Sequence, residues 1–280
     1  MTRAVDDLRR HRGIALGLGV VAAVILVNAA VRQDIGRAVL YLTVIALGVV
    51  AIDLVLARWP AATRVVPVRG AGAELIVLAA SFLGGLAWLY GRFVRDYRPG
   101  PGPLRLVWLF ILIGCVFNVL PALVLLARRY GLGDLGLRWT GMQAAPLVMA
   151  IFAIAATVWS PGTMTWRALL EESGGSIASF VGTALLAAVP EEFFRVVWQT
   201  RLGAWLDRPA VGWFVASILW ALLHAPKEWD ESHSLSITLM GVVNIVPLGL
   251  LWGYLSHRSR SMLPSVVLHA TNLWGLQNLA

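Results

Sequence analysis

Charge is scarce in this chain: of its 280 residues only 14% are Asp, Glu, Lys or Arg, and a single lysine, Lys227, stands among 23 basic side chains. With 59% of the residues hydrophobic, there is too little polar surface to cover a water-soluble fold of this length, which excludes the soluble enzyme and binding-module classes. Cysteine is nearly absent as well. Cys115 alone can form neither an intrachain disulfide nor a thiolate-rich metal site. Long polar stretches are missing, the longest being the connectors at 58–70, 92–103 and 127–143, so no soluble domain is expected. The H-E-x-x-H helix of zinc proteases and the G-x-S-x-G element of serine hydrolases are both lacking. The net charge of +8 would suit nucleic acid, but the arginines lie in connectors between apolar runs, where they bias membrane topology instead. No nucleic-acid partner is expected.

Apolar sequence is present in lengths that suit a bilayer. Nine runs, at 13–31, 38–57, 74–90, 104–127, 144–160, 176–198, 211–226, 235–255 and 261–279, approach the roughly 20 residues a helix needs to cross hydrocarbon, the fifth and seventh being short. The expected fold is all-α, a polytopic transmembrane helical bundle with eight or nine spans. The first run follows the basic residues Arg3, Arg9, Arg10 and Arg12 and reads as a retained signal anchor, being long for a cleaved signal peptide. A cytoplasmic amino terminus puts most Lys and Arg on the cytoplasmic side, the loop from Arg92 to Arg105 being the exception. Arginine in place of nearly every lysine points to a GC-rich bacterial genome, hence a bacterial cytoplasmic membrane. Membrane lipids are then obligatory partners. Trp59, Trp159, Trp205, Trp213, Trp229 and Trp252 fall near run ends, where headgroup anchors are expected. The segment 134–139 reads as a short amphipathic stretch on the cytoplasmic surface.

Ionisable side chains at membrane depth are costly, so each needs a partner or a task. The sixth run ends with Glu191, Glu192, Phe193, Phe194 and Arg195. At about 100° per residue Glu191 and Arg195 share a face as an i, i+4 pair while Glu192 points a quarter-turn away, so the arginine can neutralise one glutamate and leave the other available. An interfacial ion-pair cluster is the plain structural alternative. The other acidic doublet, Glu171 and Glu172, lies in a Ser/Gly-rich loop and reads as solvated. His224 and His269 sit in apolar surroundings, whereas His11, His233 and His257 sit at polar ends or in loops. A single such histidine is ordinarily a hydrogen-bonded core residue. Counted from the cytoplasmic ends of their runs, however, Glu191, His224, His269 and Asn272 lie at depths of roughly 12 to 21 Å, one layer of the bilayer.

These residues, in this order, resemble the CPBP family of intramembrane glutamic endopeptidases, which groups CAAX proteases with bacteriocin-processing and Abi-type proteins. The resemblance covers residues 176–279 and makes 144–280 the catalytic transmembrane core, with 1–143 supplying amino-terminal helices and connectors. The family's E-E-x-x-x-R, F-x-x-x-H and final His/Asn motifs correspond to Glu191, Glu192 and Arg195, to Trp220 and His224, and to His269 and Asn272. Three departures stand out. The first motif is one residue short, Trp220 replaces phenylalanine, and Asn272 follows His269 by three positions instead of four. Alignment on the doublet makes Glu191 the catalyst; alignment on Arg195 would put the leading glutamate at Pro190, and Glu192 is the competing candidate. The resemblance implies hydrolysis of peptide bonds in membrane-associated, prenylated or leader-type substrates. Glu191 and His224 would activate water, His269 and Asn272 would stabilise the oxyanion, and Arg195 and Trp220 would support them. No cofactor is implied.

Several rivals share these residues. Zinc held by Glu191 or Glu192 with His224 and His269 is the metal-dependent version. A bis-histidine haem on His224 and His269 is another, and would give a Soret band. Gly131, Gly133 and Asp134 match the G-x-G-D pattern of aspartyl intramembrane proteases with Asp53 as partner, but Asp134 lies in a polar connector and reads as a turn residue, and Asp53 as an interfacial one. A non-catalytic immunity or scaffold protein, or a transporter using Asn244 and Pro247, is the reading from another class.

Overall fold

The computed structural model describes residues 10–61, 66–89, 118–159, 180–182 and 184–272. Among them all regular structure is helical. In chain order the helices are α1 (Arg12–Val31), α2 (Ile35–Arg58), α3 (Ala71–Leu89), α4 (Asn118–Ala127), α5 (Ala144–Trp159), α6 (Val189–Trp205), α7 (Pro209–Leu222), α8 (Ala225–Ser232), α9 (Leu235–Ser259) and α10 (Leu263–Thr271). A 3-10 turn, Leu132–Leu135, precedes α5, and a π turn, Ala184–Ala188, leads into α6. Four segments are long and apolar enough to cross a membrane: α1, α2, Pro209–Trp229 and α9. Three further apolar helices are shorter. Residues 104–117, 176–179 and 273–279 of the expected fourth, sixth and ninth runs, with Cys115, Glu171 and Glu172, lie outside the described residues.

Helix α2 buries a stripe of Tyr41, Val44, Gly48, Ala51, Ile52 and Val55, the spacing that turns one face of a helix toward a core. Its neighbour α1 has few buried side chains and leaves Leu16, Val20 and Val27 exposed, as a lipid-facing helix does. The centre is built from α6, α7 and α9. Gly203 and Gly212 allow the α6 and α7 backbones to touch, since a Cβ on Gly212 would strike the amide nitrogen of Gly203 and the carbonyl of Gln199. On the other side of α7, a Cβ on Gly249 of α9 would meet the Trp220 ring at 2.6 Å. Small residues at such crossings let helices approach closely, which is how packing is gained where lipid offers no hydrophobic drive.

Two buried ion pairs fasten the amino-terminal helices to this centre. Asp53 of α2 pairs with Arg258 of α9 and accepts from the Tyr254 hydroxyl at 2.7 Å. Glu74 of α3 accepts from Arg201 of α6 at 2.9 Å, from Arg128 at 3.1 Å and from the Tyr130 hydroxyl at 2.8 Å. Burial pushes the Tyr130 hydroxyl up from its usual range, so it remains a donor to Glu74. Asp134, the other half of the aspartyl-protease pattern, is occupied separately: it accepts from the Gly131 amide and pairs with Arg138 at 3.5 Å. Asp53 is therefore buried in the protein and held in an ion pair near the ends of α2 and α9, which leaves it no part in an aspartyl dyad with Asp134. Beyond the 3-10 turn the chain turns at Gly136, whose φ is 93°, so no helix extends over 134–139, although Trp139 is exposed.

The tryptophans divide. Trp59 and Trp205 are exposed at helix ends, as headgroup anchors would be. Trp252 is 2% exposed and belongs to the core instead. Because α9 runs on to Ser259, Trp252 is nearly two turns inside the helix, not at its end.

Candidate active site

Pro190 has no N–H to place in the helical ladder, a local reason for the widened π turn just before it. The turn delivers Glu191 and Glu192 into the first turn of α6, with Arg195 one turn on. His224 stands where α7 gives way to α8, as the residue preceding Ala225, and His269 lies in the last turn of α10. Three separate segments thus contribute one side chain or more each.

They meet. The Glu191 carboxylate accepts a hydrogen bond from Trp220 Nε1 at 2.8 Å, and the same oxygen, Oε2, lies 3.9 Å from His224 Nε2 and 3.7 Å from His269 Nε2. Glu192 Oε1 is 3.0 Å from His269 Nδ1, and the Glu192 carboxylate pairs with Arg195. Arg195 in turn donates to the Gly249 carbonyl at 3.2 Å, and its guanidinium lies over the rings of Trp220 and Trp252. The His269 ring is stacked on Trp252 at 3.9 Å between centroids, tilted by 20°. Access is graded across the cluster. Glu192 and Arg195 are fully buried and His269 nearly so, whereas the side chains of Glu191 and His224 are 13% and 26% exposed.

One expected pairing is corrected. Arg195 engages Glu192, its i, i+3 neighbour, in place of an i, i+4 pair with Glu191. Both spacings bring side chains together on a helix, and here the arginine is drawn inward by the Gly249 carbonyl and two indole faces. The result still leaves one glutamate neutralised and the other available. Asn272 is buried a turn beyond His269, and no hydrogen bond among the described residues joins it to the cluster. Trp252 and the Gly249 carbonyl are participants that the sequence reading missed; the close-packed glycines Gly249 and Gly253 flanking Trp252 are the signal that marks this face of α9 as buried.

Metal and haem readings meet the geometry differently. Among the described residues no group of three or more His, Cys, Asp or Glu side chains is disposed to hold a metal ion, and His269 Nδ1 is already committed to Glu192. A haem between the two histidines would have to displace the Glu191 carboxylate, which lies 3.9 and 3.7 Å from them. What the arrangement can do chemically is hold a water between a partly open carboxylate and two imidazoles.

Residues 173–274 match the family model described as type II CAAX prenyl endopeptidase Rce1-like. No curated protein and no solved structure matches the chain. The matched stretch contains every member of the cluster, so the motifs and the family model fall on the same helices. Over residues 173–274 the chain is thus similar to the type II CAAX prenyl endopeptidase Rce1-like family, on a fold with four helices long and apolar enough to cross a membrane.

Proposed function

We propose that the chain is an intramembrane endopeptidase in which Glu191, with His224, activates a water molecule against the scissile carbonyl. The observation that carries this reading is the position of Glu191 Oε2, hydrogen-bonded to Trp220 and facing both histidines on the open side of the cluster, while Glu192 is consumed by Arg195 and His269. Glu191 takes a proton from water, the resulting hydroxide adds to the carbonyl carbon, and a tetrahedral oxyanion forms. Collapse of that intermediate breaks the C–N bond, and the proton returns through Glu191 or His224 to the leaving amine. No covalent enzyme intermediate is needed. His269 and Asn272 stabilise the oxyanion. For His269 to offer an N–H from Nε2 while Nδ1 donates to Glu192, the ring carries both protons in that step, and Glu192 is placed to support the charge.

Substrates of this reading are peptides or proteins with a membrane-embedded, prenylated or leader-type segment. The setting is a bundle of eight or nine spans in a bacterial cytoplasmic membrane, with the amino terminus in the cytoplasm. The mechanism uses no metal, zinc being the alternative. Detergent-purified protein offered membrane-peptide libraries tests it. Glu191→Gln and His224→Ala are expected to lower cleavage by about 10² to 10⁴-fold with folding retained, and a chelator is expected to leave the wild-type rate unchanged. Wild-type cleavage by Glu191→Gln, Glu192→Gln and His224→Ala alike would show the site to be wrong, and chelator-sensitive cleavage would favour zinc.

A further inference from the structure

A second polar assembly lies at the other end of α7, about 16 Å along the helix from Trp220 at roughly 1.5 Å per residue. There a cavity of about 530 Å³ opens between the start of α1 and the start of α7. Its rim is made of Arg10, His11, Arg12 and Arg208. Among the described residues no carboxylate lines it; Asp207, the neighbour of Arg208, is exposed and not part of the wall. The cavity also sits at the amino-terminal ends of α1 and α7, whose helix dipoles add positive potential to that of the arginines. Three guanidinium groups gathered in a wall with no carboxylate among the described residues repel one another, and the assembly suits an anion.

The remaining wall is of opposite character. Ile14, Val211 and Phe214 are apolar. Phe214 lies against α1 so closely that a Cβ on Gly17 would sit 2.6 Å from its ring. From there the flank of α1 continues as the exposed Leu16 and Val20. Both helices that form the cavity belong to segments able to cross a membrane, so this end of each lies at a bilayer surface. A free anion would use the rim and leave the apolar wall idle, and a nucleic-acid backbone would not meet an apolar wall at membrane depth. An anionic amphiphile uses both.

We infer that this cavity binds the headgroup of an anionic phospholipid. The guanidinium forks of Arg12 and Arg208 take the phosphate oxygens, and an acyl chain follows the apolar flank of α1. The volume suits a headgroup with the first part of its chain. The inference stands apart from the protease reading, because none of its residues belongs to the Glu191 cluster.

The test is native mass spectrometry of the full chain in detergent, with phosphatidylglycerol, phosphatidylcholine or inorganic phosphate added. Wild type, an Arg12→Gln/Arg208→Gln variant and an Arg129→Gln control, which removes an exposed arginine outside the cavity, are compared. Wild type and the control are expected to retain phosphatidylglycerol about tenfold better than phosphatidylcholine, and the double variant to lose that preference. Equal retention of the two lipids by wild type would overturn the inference, as would an unchanged preference in the double variant. Displacement of phosphatidylglycerol by equimolar inorganic phosphate would reassign the cavity to a free anion and overturn it too. The wild-type comparisons decide the matter even if the double variant does not fold.

Discussion

Trp220 occupies the position where the resembling family carries phenylalanine, and its indole nitrogen reaches Glu191 at 2.8 Å. A hydrogen bond to a charged group contributes about 1.5–3 kcal/mol. Trp220→Phe keeps an aromatic ring against Gly249 but removes that donor. We expect it to fold normally and to lose about ten- to a hundredfold in kcat/KM, measured on the best library substrate; an unchanged value would mean that the bond does not orient the base. The residues of the cluster were legible in the sequence because charge within apolar runs is rare, and Glu191, singled out on that ground, lies 3.9 Å from His224 and 3.7 Å from His269. The partner of Arg195 was not, because i+3 and i+4 neighbours are equally near on a helix and only the fixed carbonyl of Gly249 and the two indoles decide between them. Trp252 was misplaced for another reason: hydropathy ended its run a few residues early, which put a core ring at an apparent helix end.

At the scale of elements, the α6–α7 hairpin sets the distance between Glu191 and the pair Trp220 and His224. Gly212→Ala places a methyl against the backbone of Gly203, where no side chain can give way. Overpacking of this kind costs about 1–3 kcal/mol, and here it also wedges apart the helices that carry Glu191 and its partner Trp220. A lower melting temperature in detergent together with a disproportionate fall in cleavage is expected, while lowered stability with full activity would show that the hairpin spacing is not critical. Hydropathy located α1, α2, α5 and α9 to within a few residues. It cut the sixth run short at 198, although α6 continues to Trp205, because Glu191, Glu192, Arg195 and Arg201 depress the apolar signal. That helix is held by buried ion pairs and close packing, neither of which a hydropathy window can detect. Glu74 escaped notice likewise, since its partner Arg201 is 127 positions away in the chain.

For the whole molecule, the two buried ion pairs matter more than the boundary at residue 143. Arg201 and Arg258 lie within the Rce1-like stretch, but their acids, Glu74 and Asp53, lie outside it. Removing one partner of a buried pair is destabilising by about 3–5 kcal/mol. Residues 144–280 expressed alone should therefore fail to give a monodisperse, cooperatively melting species, and co-expression with 1–143 should restore one. A stable isolated fragment would show that water or lipid headgroups can replace the missing acids.

The Rce1-like stretch is consequently expected not to be a portable cassette. Anyone grafting it onto another scaffold would have to import the two foreign carboxylates with it, or exchange both guanidiniums for uncharged side chains of similar bulk before the transplant could stand alone.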